Sequence, residues 1–152
     1  MRCGVLITVL VAVGAGCSPL CASSIDDHPA DAQTIAALEA RASQAQPREQ
    51  CFLYAMIVHQ MTELSMKEYS AGNVDHATSL LKRIQALAQK IHLSIAGNDK
   101  RLKNAQILLS HTAFRLNEML HATSYDDRPL VEKTLAEVNQ AQNEAMMTLF
   151  QK

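Results

Sequence analysis

VDHATSLLKRIQALAQKIHLSIA, residues 74–96, decides the fold class. Its apolar residues Val74, Ala77, Leu81, Ile84, Ala88, Ile91 and Ile95 recur at steps of three and four, while Lys82, Arg83, Gln85, Gln89 and Lys90 take other faces. Each helical residue advances about 100° around the axis, so this stepping gathers the apolar residues into one stripe. A strand would need alternation at every second residue, and no run in the chain alternates for long enough to make one. Gly97-Asn98 supplies the stop, and Asp99 caps the next helix.

Outward from this helix the same period recurs. Toward the C-terminus, residues 100–123 carry Leu102, Ala105, Leu109, Ala113, Leu116 and Leu120 on one stripe. Residues 128–151 come after Tyr125-Asp126-Asp127, with Pro129 in the first turn and a stripe of Val131, Leu135, Val138, Ala145 and Leu149. Toward the N-terminus, Gly72-Asn73 ends a helix over 47–71 that opens on Pro47. Its stretch from Cys51 to Val58 is apolar on all sides, so other helices must surround it. Residues 31–46, with Ile35, Leu38, Ala42 and Ala45, make a weaker helix that Pro47 terminates and that lies on the bundle rather than inside it.

The expected fold is therefore all-α: an antiparallel up-down four-helix bundle with a short additional N-terminal helix. Short loops between long helices force antiparallel neighbours. In a simple up-down order the helices over 47–71 and 100–123 stand diagonally. Val74, Ala77, Leu81, Ile84, Ala88, Ile91, Leu109, Leu116, Leu135 and Val138 are the expected core. Tyr69-x-x-Gly72 followed by Ala77 and Leu81 resembles the turn and second helix of a tetratricopeptide repeat. No second copy returns about 34 residues later, so it is read as a generic hairpin turn.

Composition narrows the function classes. The 152 residues are 48% hydrophobic and 19% charged, which suits one packed domain rather than a disordered chain. Fourteen Lys+Arg against 15 Asp+Glu leave a net charge of −1, which argues against nucleic acid as a partner. Aromatics at 4%, with no Trp, leave no platform for sugars or stacked bases.

Residues 1–22 read as an export signal, with Arg2, an apolar run from Val5 to Val13, and small residues at Gly14, Ala15 and Gly16. Cleavage near Ala22 would release the chain into the periplasm or the exterior, and this is the preferred route. On the other route, Val13-Gly14-Ala15-Gly16-Cys17 resembles a bacterial lipobox, with Gly14 where Leu is usual. That resemblance implies a lipid on Cys17 and, through it alone, a membrane contact. Residues 23–30 form a polar tether and 31–152 a single helical domain. Cys51 reads as a small buried hydrophobe; only if Cys17 were the mature N-terminus would Cys21 remain to pair with it.

Chemistry has one candidate constellation. Glu118-x-x-His121 resembles the motif by which di-iron bundles present a carboxylate and an imidazole to one metal. His59 and Glu63 share a face at i, i+4. Together these four are the candidate ligands of a transition metal. The pattern holds one Glu-x-x-His rather than the two of the di-iron family, and ordinary helix-surface pairs account for it as well. No Cys-x-x-Cys-His for covalent haem, no Gly-x-Ser-x-Gly elbow and no phosphate-binding glycine loop occurs. Lys100-Arg101-x-Lys103 is a basic cluster at a helix start. The resulting expectation is an exported, non-enzymatic interaction, adaptor or envelope-associated module, needing no cofactor, that meets another protein or itself. The alternative is a small metal-binding or haem-like bundle.

Overall fold

Local signals start and stop each helix. The computed structural model describes residues 30–94 and 99–151, and within them the chain forms five helices and no strand. These are α1 (Ala32–Gln44), α2 (Pro47–Ser70), α3 (Val74–Ser94), α4 (Asp99–Ala122) and α5 (Arg128–Phe150). The export signal, Cys17, the tether up to Pro29 and the Gly97-Asn98 stop lie outside the described residues.

Asp31 caps α1: its backbone is extended and its carboxylate accepts the Thr34 N–H at 2.7 Å, which holds its pKa below the ordinary value. Pro47 occupies the first turn of α2, where a missing N–H costs nothing. At the other end of α2 the Gly72 N–H donates to Tyr69 O at 3.0 Å and the Asn73 N–H to Glu68 O at 2.9 Å. These two bonds satisfy carbonyls that would otherwise face nothing, and they need the left-handed backbone of Gly72, φ 85°.

Packing is settled by which helices carry more than one apolar side. On α2, Cys51, Phe52, Leu53, Ala55, Ile57, Val58, Met61 and Leu64 are all buried. Accordingly α2 has neighbours on three sides: α1, α3 and α4. α5 completes the bundle against α3 and α4, while α2–α5 and α3–α4 are not neighbours among the described residues.

Residue pairs give the directions. Lys90 stands over the Tyr54 ring and Ser65 donates to Ala77 O, so α2 and α3 run oppositely. Between α2 and α4 the pairs His59–Thr112, Glu63–Arg115 and Tyr69–Ser124 rise together, so these two helices run the same way. Gln85–Thr134 and His92–Glu144 say the same of α3 and α5. The molecule is thus two helical hairpins, α2–α3 and α4–α5, laid side by side, with α1 against α2. The diagonal placing of α2 and α4 expected from a simple up-down order is overturned: they are neighbours. Periodicity is the same in either arrangement; in this one α4 meets α2 along an edge that carries a bidentate ion pair and a buried hydroxyl.

The interior is aliphatic. Ala77, Leu81, Ile84, Ala88 and Ile91 of α3 are buried, as are Leu109 and Leu116 of α4 and Val138 of α5. Burying each of the larger of these side chains contributes about 1.5–3 kcal/mol. Val74, the first residue of α3, is half-buried. Leu135 is half-buried too and packs against the core from α5. Tyr69 ties the two hairpins at one end: its hydroxyl accepts the Ser124 N–H at 2.7 Å and donates to Asp127 Oδ2 at 3.3 Å. Among the described residues no helix is long and apolar enough to cross a membrane.

Candidate functional site

The seam between α2 and α4 gathers most of the polar chemistry. His59 is buried, 6% exposed, because α4 lies directly over its face of α2. Its Nδ1 is 3.2 Å from Thr112 Oγ1, and that hydroxyl donates its own hydrogen to Leu108 O at 2.8 Å. With the Thr112 proton committed, Nδ1 of His59 must be the protonated nitrogen and the donor. The His111 ring lies 6.4 Å from that of His59, tilted by 50°.

One turn further along, Arg115 forks onto Glu63. Its Nε donates to Oε1 at 2.6 Å and its Nη2 to Oε2 at 2.9 Å. The remaining Nη1 donates to Glu118 on the same helix. These hydrogen bonds, that to Glu63 foremost, hold the guanidinium more firmly protonated than a free arginine. The carboxylates of Glu63 and Glu118 therefore share a cation that the chain itself supplies. Among the described residues no group of three or more His, Cys, Asp or Glu side chains is gathered closely enough to hold a metal ion.

Of the four candidate ligands, the structure brings His59, Glu63 and Glu118 to one seam but with separate partners. His121 is exposed, on a different side of α4. Arg115 and Thr112, the residues that organise the seam, carry no role in the sequence reading. Thr112 had a signal: it falls beside Leu109 and Leu116 within an apolar stripe, where a hydroxyl must find a buried partner. Arg115 had only its i, i+3 spacing to Glu118, which any surface pair shows. Gln60, next to His59, is also buried, and its Oε1 has no hydrogen-bond partner among the described residues.

A second cluster lies where α3 meets α5. Ala88 and Ala141, both small, leave a cleft of about 70 Å³ edged by Gln89, His92, Glu137, Gln140 and Glu144. His92 Nδ1 contacts Glu144 Oε2, and Gln140 donates to Oε1 at 3.1 Å. Partial burial raises the Glu144 pKa, but the bonds from His92 and Gln140 outweigh it and leave the carboxyl below its ordinary value. At the α2–α3 turn, His76 Nδ1 stands 3.4 Å from Glu68 Oε2, which also accepts from Asn73.

Two other sequence candidates have definite places. Cys51 is a free, buried cysteine, and burial pushes its thiol up to about 11, so almost no thiolate exists at neutral pH. In the basic cluster, Arg101 reaches Glu49 at 3.8 Å and stacks 5.2 Å from the Phe52 ring, while Lys103 is exposed. Arg101 is thereby a strut between α4 and α2.

The second hairpin exposes several large apolar side chains among polar and charged ones. Ile107 and Phe114 of α4 are 50% and 62% exposed, and Met146 and Phe150 of α5 are 36% and 83% exposed. Comparison of the chain with protein-family models, with curated proteins and with solved structures finds no match in any of the three.

Proposed function

We propose that the chain is an exported, non-enzymatic four-helix bundle made of two antiparallel hairpins, with α1 as an added helix, and that it works by protein–protein contact. The observation that carries this reading is the row of exposed apolar side chains on α4 and α5, where a free surface would ordinarily be charged. The polar seam supports it from the other direction. Arg115, Glu63, Glu118 and Thr112 are committed to one another and to the backbone, so they act as fasteners between α2 and α4.

A photo-crosslinking phenylalanine analogue at position 114, introduced in the cells that make the protein, tests the reading. It is expected to give a defined protein adduct, whereas the same group at exposed position 82 on the other hairpin gives none. Absence of any adduct from position 114 would sink the reading. Metal analysis of protein purified without a histidine tag separates it from a metal-binding bundle: near-stoichiometric metal, lost in a Glu118→Ala/His121→Ala variant, would replace it. Export through residues 1–22, with release rather than lipid anchoring, is part of the proposal. Cys17→Ser should leave size and detergent partitioning unchanged if release occurs near Ala22. Stalled processing and lost membrane retention would assign the lipid route instead, since lipid supplies about 0.8 kcal/mol per buried methylene.

A further inference from the structure

One side of α2 carries a polar residue at the centre of an apolar stripe. Phe52, His59 and Glu63 meet Arg101, Thr112 and Arg115 and so face α4, while Tyr54 and Ser65 face α3. Between those two sides stand Leu53, Ile57, Gln60 and Leu64, all buried. At about 100° per residue these four fall within about 60° of one another. Their cover is α1, the third neighbour of α2. It runs along them from Gln50, whose amide donates to Ala42 O at 3.3 Å, to Lys67, whose charge reaches Asp31. Gln60 lies inside that span. It is 6% exposed, yet its Oε1 has no hydrogen-bond partner among the described residues.

An acceptor shut away from water without a donor penalises the arrangement that covers it, and the penalty ends when water returns. The grip of α1 is light in other respects too. Ile35 and Ala42 are its buried residues, and its link to α3 is the Glu39–Arg83 pair, 39% and 48% exposed. Solvent screens such a pair. A pivot is present as well. Ala45 and Gln46 are extended, with ψ of 152° and 150°, and Gln46 O already accepts the Glu49 and Gln50 N–H groups. α2 therefore keeps its own first turn when α1 moves, and Pro47 bars the two helices from merging into one.

We propose that α1 is a strap that swings off α2 while α2–α5 stay folded, and that Gln60 sets how readily it does so. With α1 closed, the Gln60 carbonyl is buried and unpaired. With α1 open, it is hydrated, and Leu53, Ile57 and Leu64 face solvent. These three hold the strap shut, and the amide among them works against them. Detached, the 13 residues of α1 are too few to keep a stable helix in water, so opening also loosens α1 itself.

Native-state hydrogen exchange of the full chain, resolved by residue, tests this in wild type, Gln60→Leu and Gln60→Met. In wild type, α1 amides are expected to exchange far faster than those near Ile57, and in both variants they slow about tenfold. Amides in the last turn of α5, a helix that does not touch α2, open without uncovering position 60 and keep their wild-type rates. Methionine is close to glutamine in shape, so poor packing of leucine does not decide the outcome. α1 amides as protected as those of α2 in wild type overturn the strap. Unchanged α1 exchange in both variants, or equal slowing in the last turn of α5, overturns the role of Gln60.

Discussion

Without Arg115, the carboxylates of Glu63 and Glu118 would have lost a common cation at the same edge of the α2–α4 seam. Arg115 and Glu63 are 35% and 28% exposed, so solvent screens the pair and its worth is modest, about 1 kcal/mol. Arg115→Ala should therefore lower the melting temperature by a few degrees, and Arg115→Lys should recover only part, because an ammonium lacks the planar fork. Equal melting of wild type and Arg115→Ala would show that the fork is decoration. Glu144 carries a pH signature. Its pKa in the folded chain lies below the ordinary 4.5, so its contribution is present above that value and is lost as pH falls through the folded pKa. Thermal melts from pH 6 down to about pH 3 should show wild type losing more stability than Glu144→Gln; parallel curves would contradict the assignment.

At the scale of the helix, α3 makes the sharpest contrast between faces. Ile84 is completely buried, and Lys82, two residues earlier, is exposed. An aspartate at 84 would bury a charge with no partner, costing several kcal/mol, enough to unfold the domain. Lys82→Asp should stay within about 0.5 kcal/mol of wild type. Comparable melting of the two variants would refute the face of α3. The stepping of three and four in residues 74–91 made this face legible, because a stripe needs only the helical period and the hydrophobicity of each residue. The ends of the helices were legible for the same local reason: Asp31, Pro47 and Gly72 act through their own backbone and nearest neighbours.

For the molecule as a whole, α2 is the element most enclosed, with α1, α3 and α4 around it. Its central amides, near Ile57 and Val58, should exchange hydrogen only through global unfolding, while those of α1, which packs on α2 and reaches α3 through the exposed Glu39–Arg83 pair, should exchange through local opening. Native-state exchange resolved by residue checks this; equal protection of α1 and α2 would mean that the two unfold as one unit.

The all-helical character and the enclosure of α2 were determined by the sequence alone, since both depend only on which residues are apolar and at what spacing. The candidate site was legible in its members and not in its arrangement. His59, Glu63 and Glu118 stand out as polar groups on helical faces, yet nothing in their spacing names Arg115 as the cation between two of them or Thr112 as the acceptor for the third. Which helices touch was decided only by tertiary structure. A chain with loops this short can place α2 diagonal to α4 or beside it, and periodicity is the same in either arrangement. The choice depends on how side chains 52 and 53 residues apart meet, Glu63 with Arg115 and His59 with Thr112, and a one-dimensional pattern does not contain those distances.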